Sequence, residues 1–133
     1  MFADCQSLIS INVEFNPQNV EDMRDIFGGC TNLISIKAPN FGSTKIKNAQ
    51  GLFYNDSSLK YVDLPNFEFP DATTVNYIFQ YCSSIVFINL YSMKINGNMS
   101  ILNVFDSVND NVKICINDGT TRNILNQYSS KFD

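Results

Sequence analysis

Five phenylalanines, Phe2, Phe27, Phe53, Phe79 and Phe105, recur at spacings of 25, 26, 26 and 26 residues and run almost the whole length of the chain. A beat this regular makes the sequence a tandem repeat. Each unit is too small to bury its own apolar side, so the units must stack as rungs of a solenoid. Apolar residues precede each Phe at minus seven, minus four and minus one: Val20, Met23 and Ile26; Ile46, Ala49 and Leu52; Ala72, Val75 and Ile78. In the next rung Ile101 and Val104 keep the pattern, while Asn98 takes the first slot and Met99 beside it is apolar. Three residues after each Phe come Cys5, Cys30, Asp56, Cys82 and Val108. Steps of three and four predict a short helix through the Phe.

The period then changes. At plus six, nine and eleven stand Leu8, Ile11 and Val13; Leu33, Ile36 and Ala38; Leu59, Val62 and Leu64; Ile85, Ile88 and Leu90. The last two of each set are two apart, which is strand spacing. A second aromatic follows at Phe15, Phe41 and Phe67, with Met93 in its place once, and Pro39-Asn40 and Pro65-Asn66 mark the turn leaving the strand. The expected fold is an α/β repeat solenoid, leucine-rich-repeat-like. It has about five rungs of parallel β-strand plus short helix over residues 1–117 and a helical capping segment over residues 118–133. In that segment Asp118-Gly119 makes a turn, and Thr120 or Thr121 caps a helix carrying Ile124, Leu125 and Tyr128.

The run Val-x-x-Met-x-x-Ile-Phe-x-x-Cys-x-x-Leu-x-x-Ile from Val20 to Ile36 resembles the 26-residue repeat of BspA-like leucine-rich-repeat surface proteins, and the likeness extends over about residues 1–117. The resemblance implies a solenoid located outside the cell or on its surface, with adhesive or structural roles. It carries no catalytic motif over to this chain.

Composition narrows the functional classes. Histidine is absent, which removes the commonest general base and metal ligand. No Ser/His/Asp set or phosphate loop occurs, so no enzyme activity, cofactor or metal is expected. The net charge is −4 and no Lys/Arg cluster exists, which argues against nucleic acid as a partner. No apolar run has the length of a membrane helix. With 44% hydrophobic and 17% charged residues, the chain has the material for a packed core.

Four sets of residues are candidate sites. On the outer face of the sheet, Tyr61, Phe87 and Tyr91, with Asp63 and Asn89, form an exposed patch suited to a protein or glycan ligand. Asn55-Asp56-Ser57 and Asn98-Met99-Ser100 are N-glycosylation sequons, and the Asp in place of Cys at residue 56 suggests an exposed corner around Asn55. Cys5 and Cys30 lie one rung apart, within reach of a disulfide, whereas Cys82 is two rungs from Cys30 and Cys115 is on the opposite phase. Finally, the helix expected ahead of Phe2 has no counterpart in the sequence, so Met1 and Phe2 form an open edge. Upstream repeats or a second copy stacked head-to-tail against Ile124, Leu125 and Tyr128 would cover it, and the latter contact would propagate into a fibre or coat.

Overall fold

In the computed structural model, which describes residues 1–127, the chain winds into a β-solenoid. Each rung contributes one three-residue strand: β1 (Ser10–Asn12), β2 (Ser35–Lys37), β3 (Tyr61–Asp63), β4 (Phe87–Asn89) and β5 (Lys113–Cys115). They form one parallel sheet in the order β1-β2-β3-β4-β5, in sequence order and without a register slip. The central residues Ile11, Ile36, Val62, Ile88 and Ile114 pair one above another and point inward. Their neighbours on either side point outward, as the two-residue period of a strand requires. A single helix, α1 (Gly119–Asn126), follows the last strand.

The phenylalanine beat becomes a physical column. Rings of successive rungs stack nearly parallel, with centroids 5.5 Å (Phe2–Phe27), 5.4 Å (Phe27–Phe53), 5.4 Å (Phe53–Phe79) and 5.9 Å (Phe79–Phe105) apart. Phe15, Phe41 and Phe67 make a second column beside it, continued by the buried Met93. Met99 is buried and Asn98 is exposed, so the apolar slot of that rung is filled by a one-residue shift.

The helix expected through each Phe does not form. The segment is a series of turns, in which Ile26 N–H donates to Met23, Gly28 to Asp25 and Cys30 to Phe27, each three residues back. The residues two before and two after each Phe are left-handed: Asp25 and Gly29, Gly51 and Asn55, Tyr77 and Tyr81, Asn103 and Ser107, with Asp4 after Phe2. A left-handed residue cannot continue a right-handed helix. It instead turns alternate N–H groups toward the next rung. Phe2 donates to Ile26, Phe27 to Leu52, Phe53 to Ile78 and Phe79 to Val104, at 2.8–3.1 Å. Five residues before the Phe, Asp22, Asn48, Thr74 and Ser100 form a second parallel ladder of single bridges. The side chains of Asp22, Asn48 and Thr74 each accept from the N–H two residues on, which is a stacked Asx or Ser/Thr turn.

At the C-terminal end the side chain of Asp118, and not that of Thr120 or Thr121, caps α1 by accepting from Thr121 N–H at 2.7 Å. Thr121 is fully buried, and its hydroxyl oxygen accepts the N–H of Ile95 at 2.9 Å. Leu125 is also buried, so α1 packs against the core by these two side chains. Thr121→Val keeps the shape but leaves the Ile95 N–H without an acceptor. Urea denaturation should show a loss of about 1–3 kcal/mol, while Thr121→Ser should stay near the parent. Equal losses for the two would mean that the hydroxyl does not hold the helix in place.

Candidate functional site

The strands place two rows of side chains on the outer face of the sheet. One row runs Ser10, Ser35, Tyr61, Phe87, Lys113, and the next runs Asn12, Lys37, Asp63, Asn89, Cys115. Tyr61 and Phe87 are directly opposed in register and both are exposed. Tyr91 is exposed as well but stands four residues beyond Phe87, with Asn89 between them. The Asn89 amide donates to Asp63 at 2.8 Å, and its oxygen accepts from Tyr91 N–H at 3.2 Å. Asn89 and Asp63 are thus tied to each other, while the rings of Tyr61, Phe87 and Tyr91 stay exposed.

A second concave surface, which the sequence reading did not identify, runs along the phenylalanine corner. It is a groove of about 600 Å³ lined by Ala3, Asp4, Asp25, Gly28, Gly29, Gln50, Gly51, Tyr54, Asn55, Tyr77 and Gln80. Its floor is glycine for two reasons. Gly29 and Gly51 are left-handed, and a side chain on either would run into the carboxylate of Asp4 or Asp25 one rung before. Tyr54 and Tyr81 meet edge to face at 5.6 Å beside it. The recurrence of Gly, Asn and Asp two residues either side of most of the Phe residues was the available signal, because these residues tolerate the left-handed turn.

The column three residues after each Phe is chemically the least expected feature. Cys30 Sγ donates to the carbonyl of Phe2 at 3.1 Å and Cys82 Sγ to that of Phe53 at 2.9 Å. Each thiol thus satisfies the ladder carbonyl of the preceding rung. Burial pushes the Cys30 thiol up to about 11 and raises Cys82 further, so both are unreactive donors. Cys5 and Cys30 are both free thiols, and Cys115 is exposed on the sheet face.

Asp56 occupies the same column and is fully buried, which corrects the expectation of an exposed corner there. The corner is sharp enough that Asn55 faces solvent while the next residue faces the core. One Asp56 oxygen accepts the Cys30 N–H at 2.8 Å, and the other has no partner. Burial outweighs that hydrogen bond and raises the carboxyl from 3.8 to about 8. A protonated carboxyl is a donor, as a thiol is, so the neutral form suits this slot. The second sequon residue, Asn98, is exposed.

The two ends of the stack differ as well. Met1 is 82% exposed, and Phe2, Cys5, Leu8, Phe15 and Val20 are only partly buried, although the equivalent Phe27, Cys30, Leu33, Phe41 and Ile46 are sealed. At the other end Leu125 is buried in the core and Ile124 is half-buried. Tyr128 lies outside the described residues. Among the described residues no helix is long and apolar enough to cross a membrane, and no cluster of three metal-ligating side chains occurs.

A comparison with curated proteins and one with solved structures found no match. A family model does match, over residues 1–115, and it covers all five strands described above. The chain belongs to the family described as Mycoplasma protein of unknown function, DUF285.

Proposed function

We propose that this chain is a non-catalytic repeat module of a cell-surface or extracellular protein, of the BspA-like kind, whose half-wet first rung stacks on another rung of the same type. The observation that carries this reading is the contrast between the partly exposed Phe2, Cys5, Leu8 and Phe15 and the sealed equivalents one rung on. Partial burial of several large side chains leaves stabilisation unrealised, at about 25 cal/mol per Å² of apolar surface, and stacking recovers it. The edge strand β1 adds unpaired backbone groups in the same plane. The edge strand β5 offers the same groups at the other end, and a head-to-tail contact between the two would propagate into a fibre or coat. Asp56, Cys30 and Cys82, all raised by burial, are inward ladder residues, in keeping with a structural role.

Sedimentation across the micromolar range tests the idea. The chain should self-associate, and Phe2→Asp should return it to monomer without loss of the sheet. A wild-type chain that stays monomeric throughout, or a Phe2→Asp variant that associates equally well, would sink self-stacking.

A second reading, adhesion through the sheet face, is favoured by the exposed pair Tyr61 and Phe87 in direct register. Exposed neighbouring aromatics on a rigid surface are frequent anchors for a partner.

A further inference from the structure

We propose that the corner groove is a binding site for a neutral, linear polysaccharide, separate from both the stacking edge and the sheet face. The first observation is local strain. Tyr77 and Tyr81 hold left-handed backbone at φ 62° and 64°, where equivalent positions carry the small residues Gly, Asn, Asp or Ser. A bulky residue there costs about 1–2 kcal/mol, and nothing in the packing of the core asks for it. The strain places tyrosine rings along the groove and beside it, where Tyr54 packs edge to face on Tyr81. Strain of this kind is commonly retained where a surface has work to do.

The chemistry of the lining selects the ligand class. The backbone of the groove is already paired between rungs: Gly29 N–H donates to Tyr54 at 2.8 Å, Gly51 to Asn76 at 2.8 Å and Asn55 to Gln80 at 2.9 Å. An extended peptide therefore finds no strand edge to join, and recognition falls to side chains. Those side chains are tyrosine rings, the amides of Gln50 and Asn55, and the carboxylates of Asp4 and Asp25. Rings offer a flat apolar face, amides donate and accept, and carboxylates accept from hydroxyls. A pyranose has an apolar face and a rim of hydroxyls, which matches this set. Two carboxylates and no lysine or arginine in the lining disfavour sulfated or carboxylated chains. The geometry agrees, because rungs repeat every ~4.8 Å, close to the advance of one pyranose in an extended chain. The four rungs that line the groove span about 14 Å, room for a short oligosaccharide.

The test uses the 133-residue chain produced without glycosylation, because Asn55 lines the groove. Calorimetric titrations would use linear tetrasaccharides of glucose, of mannose and of N-acetylglucosamine. A heparin tetrasaccharide and a lysine-rich peptide serve as charged comparisons. At least one neutral tetrasaccharide should bind. Tyr77→Asn removes the ring yet relieves the backbone, so it should weaken that binding by about tenfold or more while melting at the parent temperature or above. The double change Tyr61→Ala with Phe87→Ala, on the sheet face, should leave binding unchanged. The proposal is overturned if no neutral tetrasaccharide binds, if only the heparin fragment or the basic peptide does, or if Tyr77→Asn binds as tightly as the parent.

Discussion

Replacing Phe53 by alanine should lower the stability of this chain by about 3–5 kcal/mol. Phe53 is fully buried in the middle rung and stacks on Phe27 and Phe79, each at 5.4 Å with nearly parallel planes. The loss combines the transfer of a ring to water, the cavity left between two rungs that cannot close on it, and two ring–ring contacts of about 0.5–1.5 kcal/mol each. A domain of ordinary stability has only about 5–15 kcal/mol in hand, so the melting temperature should fall by roughly 10–20 °C. The same change at Phe2, which has one stacking partner and is half exposed, should cost about 1 kcal/mol. Thermal denaturation of both variants checks this. Equal losses at Phe2 and Phe53 would show that the column does not carry the stability of the stack.

Asp56 should make stability fall as pH rises from about 4 to about 8. Its carboxyl is raised from 3.8 to about 8 because it is buried, with one oxygen unpartnered. Below 3.8 both folded and unfolded chains hold the proton, and the group is neutral to stability. Between the two values the unfolded chain releases the proton while the folded chain keeps it, so the unfolded state is favoured by ~1.4 kcal/mol per pH unit in the limit. Above 8 both forms are ionised and the effect levels off. Asp56→Cys restores the residue type found at Cys5, Cys30 and Cys82, and Asp56→Asn removes the charge with little change of shape. Either should raise stability at pH 7.5 by a few kcal/mol, and its advantage over the parent should grow steadily between pH 4 and pH 8. Urea midpoints at several pH values measure it. Parallel curves for parent and variants would mean that Asp56 ionises in the fold without penalty. Asp22 and Asp118, whose carboxyls are held low by the Arg24 side chain and the Thr121 N–H respectively, act in the opposite sense at acid pH and cancel in the comparison.

The sequence by itself determined the rung. The 26-residue recurrence set the number of stacked units, and the pair Ile36 and Ala38, or Val62 and Leu64, marked where each strand lies. The inward columns of Phe and Cys could also be read off directly, because one inward slot per rung must be filled by similar volumes. The candidate pair Tyr61 and Phe87 was legible for the same reason, since strand alternation fixes which residues face out.

Tertiary structure decided what lies between the strands. Apolar residues three apart, as at Met23, Ile26 and Cys30, are shared by a helix and by consecutive turns, so periodicity could not separate them. Left-handed residues at two before and two after each Phe send alternate N–H groups across to the next rung, and that partner exists only once the rungs are stacked. The same corner buries Asp56 beside an exposed Asn55, and it opens a groove whose walls come from four different rungs. Spacing along one rung carries the local period, whereas burial and concavity are properties of neighbours 26 residues away.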